Sequence, residues 1–167
     1  MKERALKILI DTREQAPYAF TNYNCTTERA TLPTGDYSLP GFESLAAIER
    51  KSADDLIGCL KGSDRARFER ELARLRTYDL AAVVVEASLT DISRGRYRSQ
   101  MTPHAVLQSV TAFMVRHRVP FLFCGSREGA EYMTYSLLSK YSREIEVRFD
   151  RLRKAEGAAR RRLTGPS

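Results

Sequence analysis

Two acidic side chains and one lysine have a spacing that could support hydrolysis of a phosphodiester. Asp36 follows a turn at Gly35, and Glu49 and Lys51 close a strand-like run further along the chain. Magnesium prefers hard oxygen ligands, and one or two carboxylates suffice when waters and phosphate oxygens complete the shell. A divalent ion lowers the pKa of a bound water, acts as a Lewis acid and orients the reacting groups. Lys51 could then orient the attacking water, stabilise hydroxide or offset charge in the transition state.

Each of these residues also has a structural interpretation. Asp36 is placed like a turn acid, and Glu49 to Lys51 could be a solvated strand end. Asp55 lies three residues after Ser52, which is the spacing of a capping box at a helix start. Asp11 ends a neighbouring apolar run, so it is a candidate for a third carboxylate ligand or for a group that supports the other two.

The register of two predicted strands decides whether the acids can meet. The strands are predicted as an antiparallel pair over Tyr37–Leu39 and Glu43–Lys51. A tight turn at Pro40 places Asp36 opposite Leu45 and leaves Glu49 on the order of 13 Å further along, too far to share a metal. A wide loop over residues 40–45 instead places Asp36 opposite Glu49, with Lys51 on the same face. The metal-site interpretation therefore predicts a wide loop or a bend.

The rest of the chain alternates buried strands with amphipathic helices. Further strands are predicted over Lys7–Asp11, Thr27–Leu32, Leu80–Glu86 and Val119–Cys124. Helices are predicted over Ser52–Leu60, Asp64–Tyr78, Thr102–His117 and from Ser126 to about residue 152. This order predicts an α/β domain over residues 1–155, with a mixed β-sheet flanked by α-helices. Residues 156–167 are basic and are predicted to be a flexible tail.

The composition is that of a soluble, intracellular, single-domain protein. The chain has 167 residues, of which 43% are hydrophobic and 29% charged. No apolar run approaches the roughly 20 residues that span a bilayer, and an acid comes too early for a signal peptide. We therefore expect no association with a membrane. The three cysteines form no CxxC pair, which predicts neither a zinc knuckle nor a disulfide framework.

The formal net charge of +7 points to nucleic acid as a partner. The excess is concentrated at Arg94, Arg96 and Arg98, and again at residues 160–162. Arg96 and Arg98 are candidate DNA contacts. Solvated arginines on a basic surface are the alternative, and charge alone does not separate the two interpretations.

Three segments together resemble the signature of the XPF-type structure-specific endonucleases. The segments are Ile8–Glu14, Gly35-Asp36 and Ile48–Asp55, and the last carries an intact ERKxxxD. The family combines GD…ERKxxxD with a fold similar to that of restriction endonucleases, and the resemblance extends from about residue 5 to residue 152. The resemblance therefore implies a restriction-endonuclease-like nuclease domain.

The resemblance also assigns roles to individual residues. It implies that Asp36 and Glu49 hold Mg²⁺ or Mn²⁺ and that Lys51 is catalytic. Asp11 and Arg50 complete the predicted catalytic set, Asp11 also as a metal ligand. The supporting members of the site would be Glu14 and Asp55. Arg13 and Arg67 would contact the DNA backbone.

The implied function is a metal-dependent DNA endonuclease of DNA repair or recombination that cuts branched or flapped DNA. Family members commonly add a helix-hairpin-helix module, and no such module is predicted after residue 152, so the branch preference is the weaker part of this expectation. A homodimer or heterodimer is expected, although the apolar stripes of residues 102–117 and 126–152 could serve the core of the monomer instead. One alternative is a catalytically silent subunit for DNA binding or dimerisation. Another is an RNA-directed or restriction-type nuclease.

Overall fold

In the computed structural model the described residues are 5–163, with side chains up to residue 161. Six strands are β1 (Leu6–Asp11), β2 (Cys25–Ala30), β3 (Tyr37–Ser38), β4 (Ala46–Lys51), β5 (Leu80–Val85) and β6 (Phe121–Phe123). Five helices are α1 (Ala53–Gly58), α2 (Gly62–Leu75), α3 (Leu89–Ser93), α4 (Pro103–His117) and α5 (Arg127–Leu163).

The six strands form one sheet in the order β2-β1-β3-β4-β5-β6. The pairs β1–β2, β4–β5 and β5–β6 are parallel, whereas the short strand β3 is antiparallel to both of its neighbours. The predicted mixed sheet flanked by helices is confirmed. Because β4 and β5 are parallel, their carboxyl ends lie at the same edge of the sheet.

The pairing of β3 with β4 answers the question of register. Tyr37 is paired with Ile48, so Asp36 lies opposite Glu49 in this antiparallel pair. The connection is a wide loop over residues 39–45 rather than a tight turn at Pro40. The wide-loop alternative, which the metal-site interpretation needed, is the one that the structure shows.

Apolar side chains cover both faces of the sheet, and β4 contributes alternate residues to each. Ala47 packs with α1, α2 and α4, in a core that includes Phe68 and Phe113. Ile48 packs on the other face, with Tyr18 and with Leu138 of α5. Because side chains alternate along a strand, Glu49 and Lys51 share the face of Ala47, and Arg50 shares the face of Ile48.

The C-terminal helix differs from its prediction. α5 runs antiparallel to β5, because Arg127 contacts Glu86 beyond one end of that strand and Arg148 lies 3.7 Å from Asp79 at the other. It continues to Leu163 instead of ending near residue 152, and residues 148–156 are all exposed. The flexible tail predicted from residue 156 is therefore helical as far as residue 163. Residues 164–167, like residues 1–4, lie outside the described part, and the domain boundary at 155 stays a prediction.

Two smaller differences concern polar segments. The residues after β5 form the short helix α3, capped by reciprocal hydrogen bonds between Ser88 and Asp91, where no helix was predicted. The strand predicted over Thr27–Leu32 begins and ends two residues earlier. Neither segment has a long apolar pattern from which its bounds could be predicted. Caps and strand pairing stabilise the two segments instead.

The helices considered for dimerisation use much of their apolar surface within the monomer. Val106, Val110 and Phe113 of α4 are buried in the core, as are Ala130 and Leu138 of α5. The large hydrophobic side chains of these helices that remain exposed are Val115, Tyr132, Phe149 and Leu152. Dimerisation stays a prediction. Among the described residues, no helix is long and apolar enough to cross a membrane.

Candidate active site

The main chain of Asp36 is fixed between two strands. Its N–H donates to the carbonyl of Ile48 at 2.9 Å, and its carbonyl accepts from the N–H of Asp11 at 2.8 Å. Gly35 precedes it with φ +77°, and a Cβ at that position would lie 3.0 Å from the Cβ of Ala47. Only glycine combines this backbone conformation with such a close approach. The turn therefore holds the Asp36 carboxylate at a set position beside β4.

The side chains of Glu49 and Lys51 meet at the end of β4. The Lys51 Nζ lies 2.6 Å from Oε1 of Glu49, and the Lys51 side chain is only 15% exposed. The ammonium also lies 5.2 Å from the centroid of the Phe68 ring. Glu71 of α2 also hydrogen-bonds the Glu49 carboxyl. The structure thus brings together the acid and the base that the sequence singled out and adds a third carboxyl group.

The pKa values of Asp36, Glu49 and Lys51 are all raised above their ordinary values. Burial, and then the neighbouring Glu49, raise the pKa of Asp36 to about 8. Burial also raises the pKa of Glu49 above its ordinary value, even though Lys51 opposes that rise. Burial by itself lowers the pKa of Lys51, but Glu49 together with Cys59 and Glu71 raises that pKa above its ordinary value. Lys51 is therefore a cation at neutral pH. Its single charge does not bring the pKa values of Asp36 and Glu49 down to their ordinary values.

The donor set fits a hard divalent cation. Asp36 and Glu49 offer carboxylate oxygens, and their raised pKa values show that a further positive charge would favour their ionised forms. Within the described residues, no group of three or more His, Cys, Asp or Glu side chains is arranged to hold an ion. The protein would thus contribute two carboxylates, which matches the way Mg²⁺ is bound when phosphates and waters supply its other ligands.

These side chains lie in a cleft of about 690 Å³, whose rim carries arginines as well as acids. Arg13 lines this cleft, as do Arg67 and Arg74 of α2. Arg67, Glu71 and Arg74 have the spacing i, i+4, i+7, which places them along one stripe of α2. Sequence reasoning assigned the apolar stripe of this helix to the core but missed Glu71. The polar stripe of α2, which carries Glu71 between two arginines, was the sequence signal from which Glu71 could have been identified.

Asp11 is held by its own neighbours. Its Oδ1 accepts from the N–H and Nε of Arg13, and its Oδ2 accepts from Arg13 and from the N–H of Leu32. Burial opposes its ionisation, but these hydrogen bonds lower its pKa below the ordinary value. Both oxygens thus already have donors, and the carboxylate positions Arg13 in this structure. Its predicted role as a metal ligand stays a prediction.

Arg50 and Glu14 lie on the α5 side of the sheet. The Arg50 guanidinium donates to Glu86 at 2.6 and 3.2 Å and approaches Glu14 at 3.4 Å. Its main-chain N–H donates to Oδ2 of Asp36 at 2.8 Å. Arg50 therefore contacts the acid site through its backbone, whereas its side chain points away from Glu49 and Lys51. The catalytic role predicted for Arg50 is untested, and the geometry supports a supporting one.

The other predicted site residues lie around the cleft or beyond it. The main-chain N–H of Asp55 donates to the Ser52 side chain, which is half of the expected capping box, and Asp55 also lines the cleft. Arg98 interacts with Asp54 on the rim. Arg96 pairs with Asp91 of α3 and lines no part of the cleft. DNA contacts by Arg96 and Arg98 stay predictions.

The sheet order and the acids at adjacent strand ends define a restriction-endonuclease-like nuclease fold. The XPF structure from Aeropyrum pernix aligns with TM-score 0.65 and 19% identity, over 96% of this chain and 75% of that chain. A second structure, XPF from Aeropyrum pernix in complex with DNA, aligns with TM-score 0.64 and 20% identity, over 83% of this chain and 66% of that chain. No protein with a curated function matches the sequence significantly.

A sequence profile of the ERCC4 domain matches residues 10–137, a span that contains every element of the cleft. The chain belongs to the ERCC4 domain family. This is a family of nucleases that act on DNA, and the XPF-type resemblance drawn from the three motifs is confirmed.

Proposed function

We propose that this protein is a divalent-metal-dependent DNA endonuclease that hydrolyses phosphodiester bonds, with branched or flapped DNA as its preferred substrate. The observation that carries the proposal is the convergence of Asp36 and Glu49 from paired strands, with the Lys51 ammonium 2.6 Å from Glu49. A silent subunit has no need to keep a buried glutamate paired with a mostly buried lysine beside a second, partly buried acid, because burying charges costs free energy.

Each residue of the site has a role in this proposal. Asp36 and Glu49 would hold Mg²⁺ or Mn²⁺, which supplies a nucleophilic water and Lewis acidity at the phosphoryl group when bound. Lys51 keeps its proton, because its pKa is raised by Glu49, so it offsets negative charge in the transition state rather than acting as a base. Gly35 and the main chain of Arg50 keep the Asp36 carboxylate in position.

The rim of the cleft suits a nucleic-acid backbone. Arg13, Arg67 and Arg74 line the same cleft as the acids, so a phosphodiester could reach the acids while neighbouring phosphates contact the arginines. The side chains of Arg13 and Arg67 are 67% and 74% exposed, which leaves their guanidinium groups accessible. The solved XPF–DNA complex adds support for DNA as the partner. Preference for a branch rests on the family resemblance.

Cleavage of a labelled DNA flap in the presence of Mg²⁺ or Mn²⁺ tests the proposal. We expect the wild-type protein to cut the flap and Asp36→Asn to leave it intact, because the substitution removes a charged ligand but keeps an acceptor for the Arg50 N–H. Glu28→Gln is the matched control, since Glu28 pairs with Lys7 on the exposed strand β2, outside the cleft.

The outcome separates the proposal from its rivals. Metal-independent, salt-sensitive DNA binding without cutting would show a silent DNA-binding subunit instead. Faster cleavage of a matched RNA flap would show that the substrate class is wrong. Equal cutting by wild-type and Asp36→Asn proteins would show that the chemistry does not take place at this site.

A further inference from the structure

A second group of charged side chains is centred on the α5 side of β4, and two of its members, Glu14 and Arg50, also border the cleft. It contains Arg50 and Arg127 as cations and Glu14 and Glu86 as anions. The carboxyl of Glu86 is its centre, because both Arg50 and Arg127 donate to it, whereas Glu14 accepts from Arg50. The side chains of Arg50 and Glu86 are only 12% and 9% exposed.

Glu86 connects three separate segments of the chain. Its Oε1 accepts from the Tyr18 hydroxyl at 2.9 Å, from Nε of Arg50 at 2.6 Å and from Arg127 at 3.2 Å. Its Oε2 accepts from the second arm of the Arg50 guanidinium at 3.2 Å. The Arg50 contact is therefore bidentate, and such a fork fixes both the position and the plane of a guanidinium. The main-chain N–H of Glu86 donates to the carbonyl of Lys51 at 2.9 Å.

These contacts reach the acid site through Arg50. Arg50 lies between Glu49 and Lys51 in the chain, so a rotation of the strand about Arg50 would move both of those side chains. Its N–H also holds Oδ2 of Asp36. A guanidinium locked by Glu86 therefore restricts the strand that carries the ligands, and groups that orient ligands in this way affect metal binding without touching the ion.

We infer that Glu86 is a positioning residue for the metal-binding acids. This inference rests on the proposed function. Glu86 holds Arg50, and Arg50 in turn sets the alignment of Asp36, Glu49 and Lys51. When Glu86 is neutral, the only carboxylate left to Arg50 is Glu14, whose contact with Arg50 is the longer one at 3.4 Å.

The experiment compares Glu86→Gln with Arg127→Met. Both substitutions remove one member of this charged cluster, but only Glu86→Gln changes a residue that bonds Arg50. Mn²⁺ affinity is measured by the electron paramagnetic resonance signal of free Mn²⁺, and kcat and KM are measured on the DNA flap. We expect Glu86→Gln to weaken Mn²⁺ binding by about tenfold and to lower kcat similarly, with KM for DNA unchanged.

Arg127→Met is expected to lower the melting temperature while leaving Mn²⁺ affinity within twofold of wild type. Glu69→Gln, which removes a surface pair with Arg116 on the outer side of α2, is a remote control with no expected effect on either quantity. If Glu86→Gln fails to fold, Arg50→Lys replaces it, because lysine keeps the charge but cannot form the fork. It should show the same tenfold loss.

Unchanged Mn²⁺ affinity in Glu86→Gln, or an equal loss in Arg127→Met, would overturn the inference while leaving the nuclease proposal intact. A wild-type protein that binds Mn²⁺ but cuts no DNA would remove the proposed function, and the affinity of Glu86→Gln would still decide the role of Glu86. A wild-type protein that binds no Mn²⁺ overturns both.

Discussion

The two faces of β4 carry acidic and basic side chains in different proportions. Acids are in excess on the cleft face, whereas acids and bases are equal in number on the α5 face. On the cleft face, Glu49 and Lys51 stand with Asp36 and Glu71, so carboxyl groups outnumber the buried cation. On the α5 face, Arg50 and its neighbours form two cations and two anions that are joined by hydrogen bonds. The alternation of side chains along one strand divides Glu49-Arg50-Lys51 between these two environments.

The difference separates a binding site from a structural ion cluster. A balanced buried cluster satisfies its own charges and is destabilised by the loss of any member. An unbalanced cluster keeps its carboxyl pKa values raised until another cation arrives. Asp36 and Glu49 show the second behaviour, which is why the cleft face is the one to which we assign the metal.

The largest expected effect is on catalysis when the cation of the cleft face is removed. Lys51→Met should lower the rate of DNA cleavage by about 10³-fold, since a charge aimed at the transition state in a buried site is worth about 4 kcal/mol. The fold should persist, because Glu49 can take up a proton instead of remaining an unpaired charge. Single-turnover cleavage measures the first effect, and circular dichroism the second. Retained cleavage would remove Lys51 from the mechanism.

Removing Arg50 from the other face should add a large loss of stability to the weaker metal binding already expected when Arg50 is loosened. Arg50→Met leaves Glu14 and Glu86 without their shared partner, so we expect the free energy of unfolding to fall by about 3 kcal/mol. Urea unfolding measures this loss, and Arg116→Met serves as a control because Arg116 pairs with Glu69 on the surface. An equal, small effect of the two substitutions would mean that the buried cluster contributes little to stability.

The excess of acids on the cleft face can be tested by measuring how the stability of the metal-free protein depends on pH. Burial raises the pKa of Asp36 to about 8 in the folded protein, whereas an aspartate has a pKa of 3.8 in an unfolded chain, so between these values the folded state binds more protons than the unfolded state. Stability from this group must therefore fall as pH rises from about 4 to about 8. Asp36→Asn should gain stability relative to wild type over this range, by up to about 1.4 kcal/mol per pH unit.

Urea unfolding in EDTA at pH 5, 6, 7 and 8 measures the difference in stability between Asp36→Asn and the wild-type protein. Glu28→Gln is the comparison, because it removes an exposed carboxylate. A stability difference between Asp36→Asn and wild type that stays constant with pH would show that Asp36 titrates normally and that the cleft face is not short of positive charge.

The smallest expected effect concerns the rim. Arg67→Ala should raise KM for DNA at moderate salt and reduce the slope of log affinity against log salt by about 1, with kcat unchanged. Fluorescence anisotropy at several salt concentrations gives the slope. Arg96→Ala is a matched arginine outside the cleft. An equal change in slope for Arg96 would extend the DNA-binding surface beyond the cleft.

Much of the fold could be predicted from the sequence because its elements are strongly patterned. The continuous apolar run of β5 and the Thr102-Pro103 start of α4 fixed those elements to within a few residues. α3 was missed because five residues with a capping box carry too little apolar periodicity. The extension of α5 was missed because its last turns contact no core, and prediction from an apolar stripe stops where the stripe stops.

The site could be predicted in its residues but only partly in its geometry. Asp36, Glu49 and Lys51 were found because their types and spacing are chemical signals. The wide loop over residues 39–45 was one of two alternatives, and strand pairing selected it. Glu86 could not be singled out in sequence, because a glutamate after a strand is ordinary until its partners in space are known. Glu71 could have been found from the polar stripe of α2 that it shares with Arg67 and Arg74.

The direction of α5 has a consequence for access. The helix starts beside Glu86, near the edge of the sheet where the cleft opens, and passes Asp79 at the far edge before its exposed turns begin. At the rise of about 1.5 Å per residue, residues 127–148 alone span roughly 30 Å. A macromolecule that binds these exposed turns would therefore approach from the side of the sheet opposite the opening of the cleft and would leave that opening free for DNA.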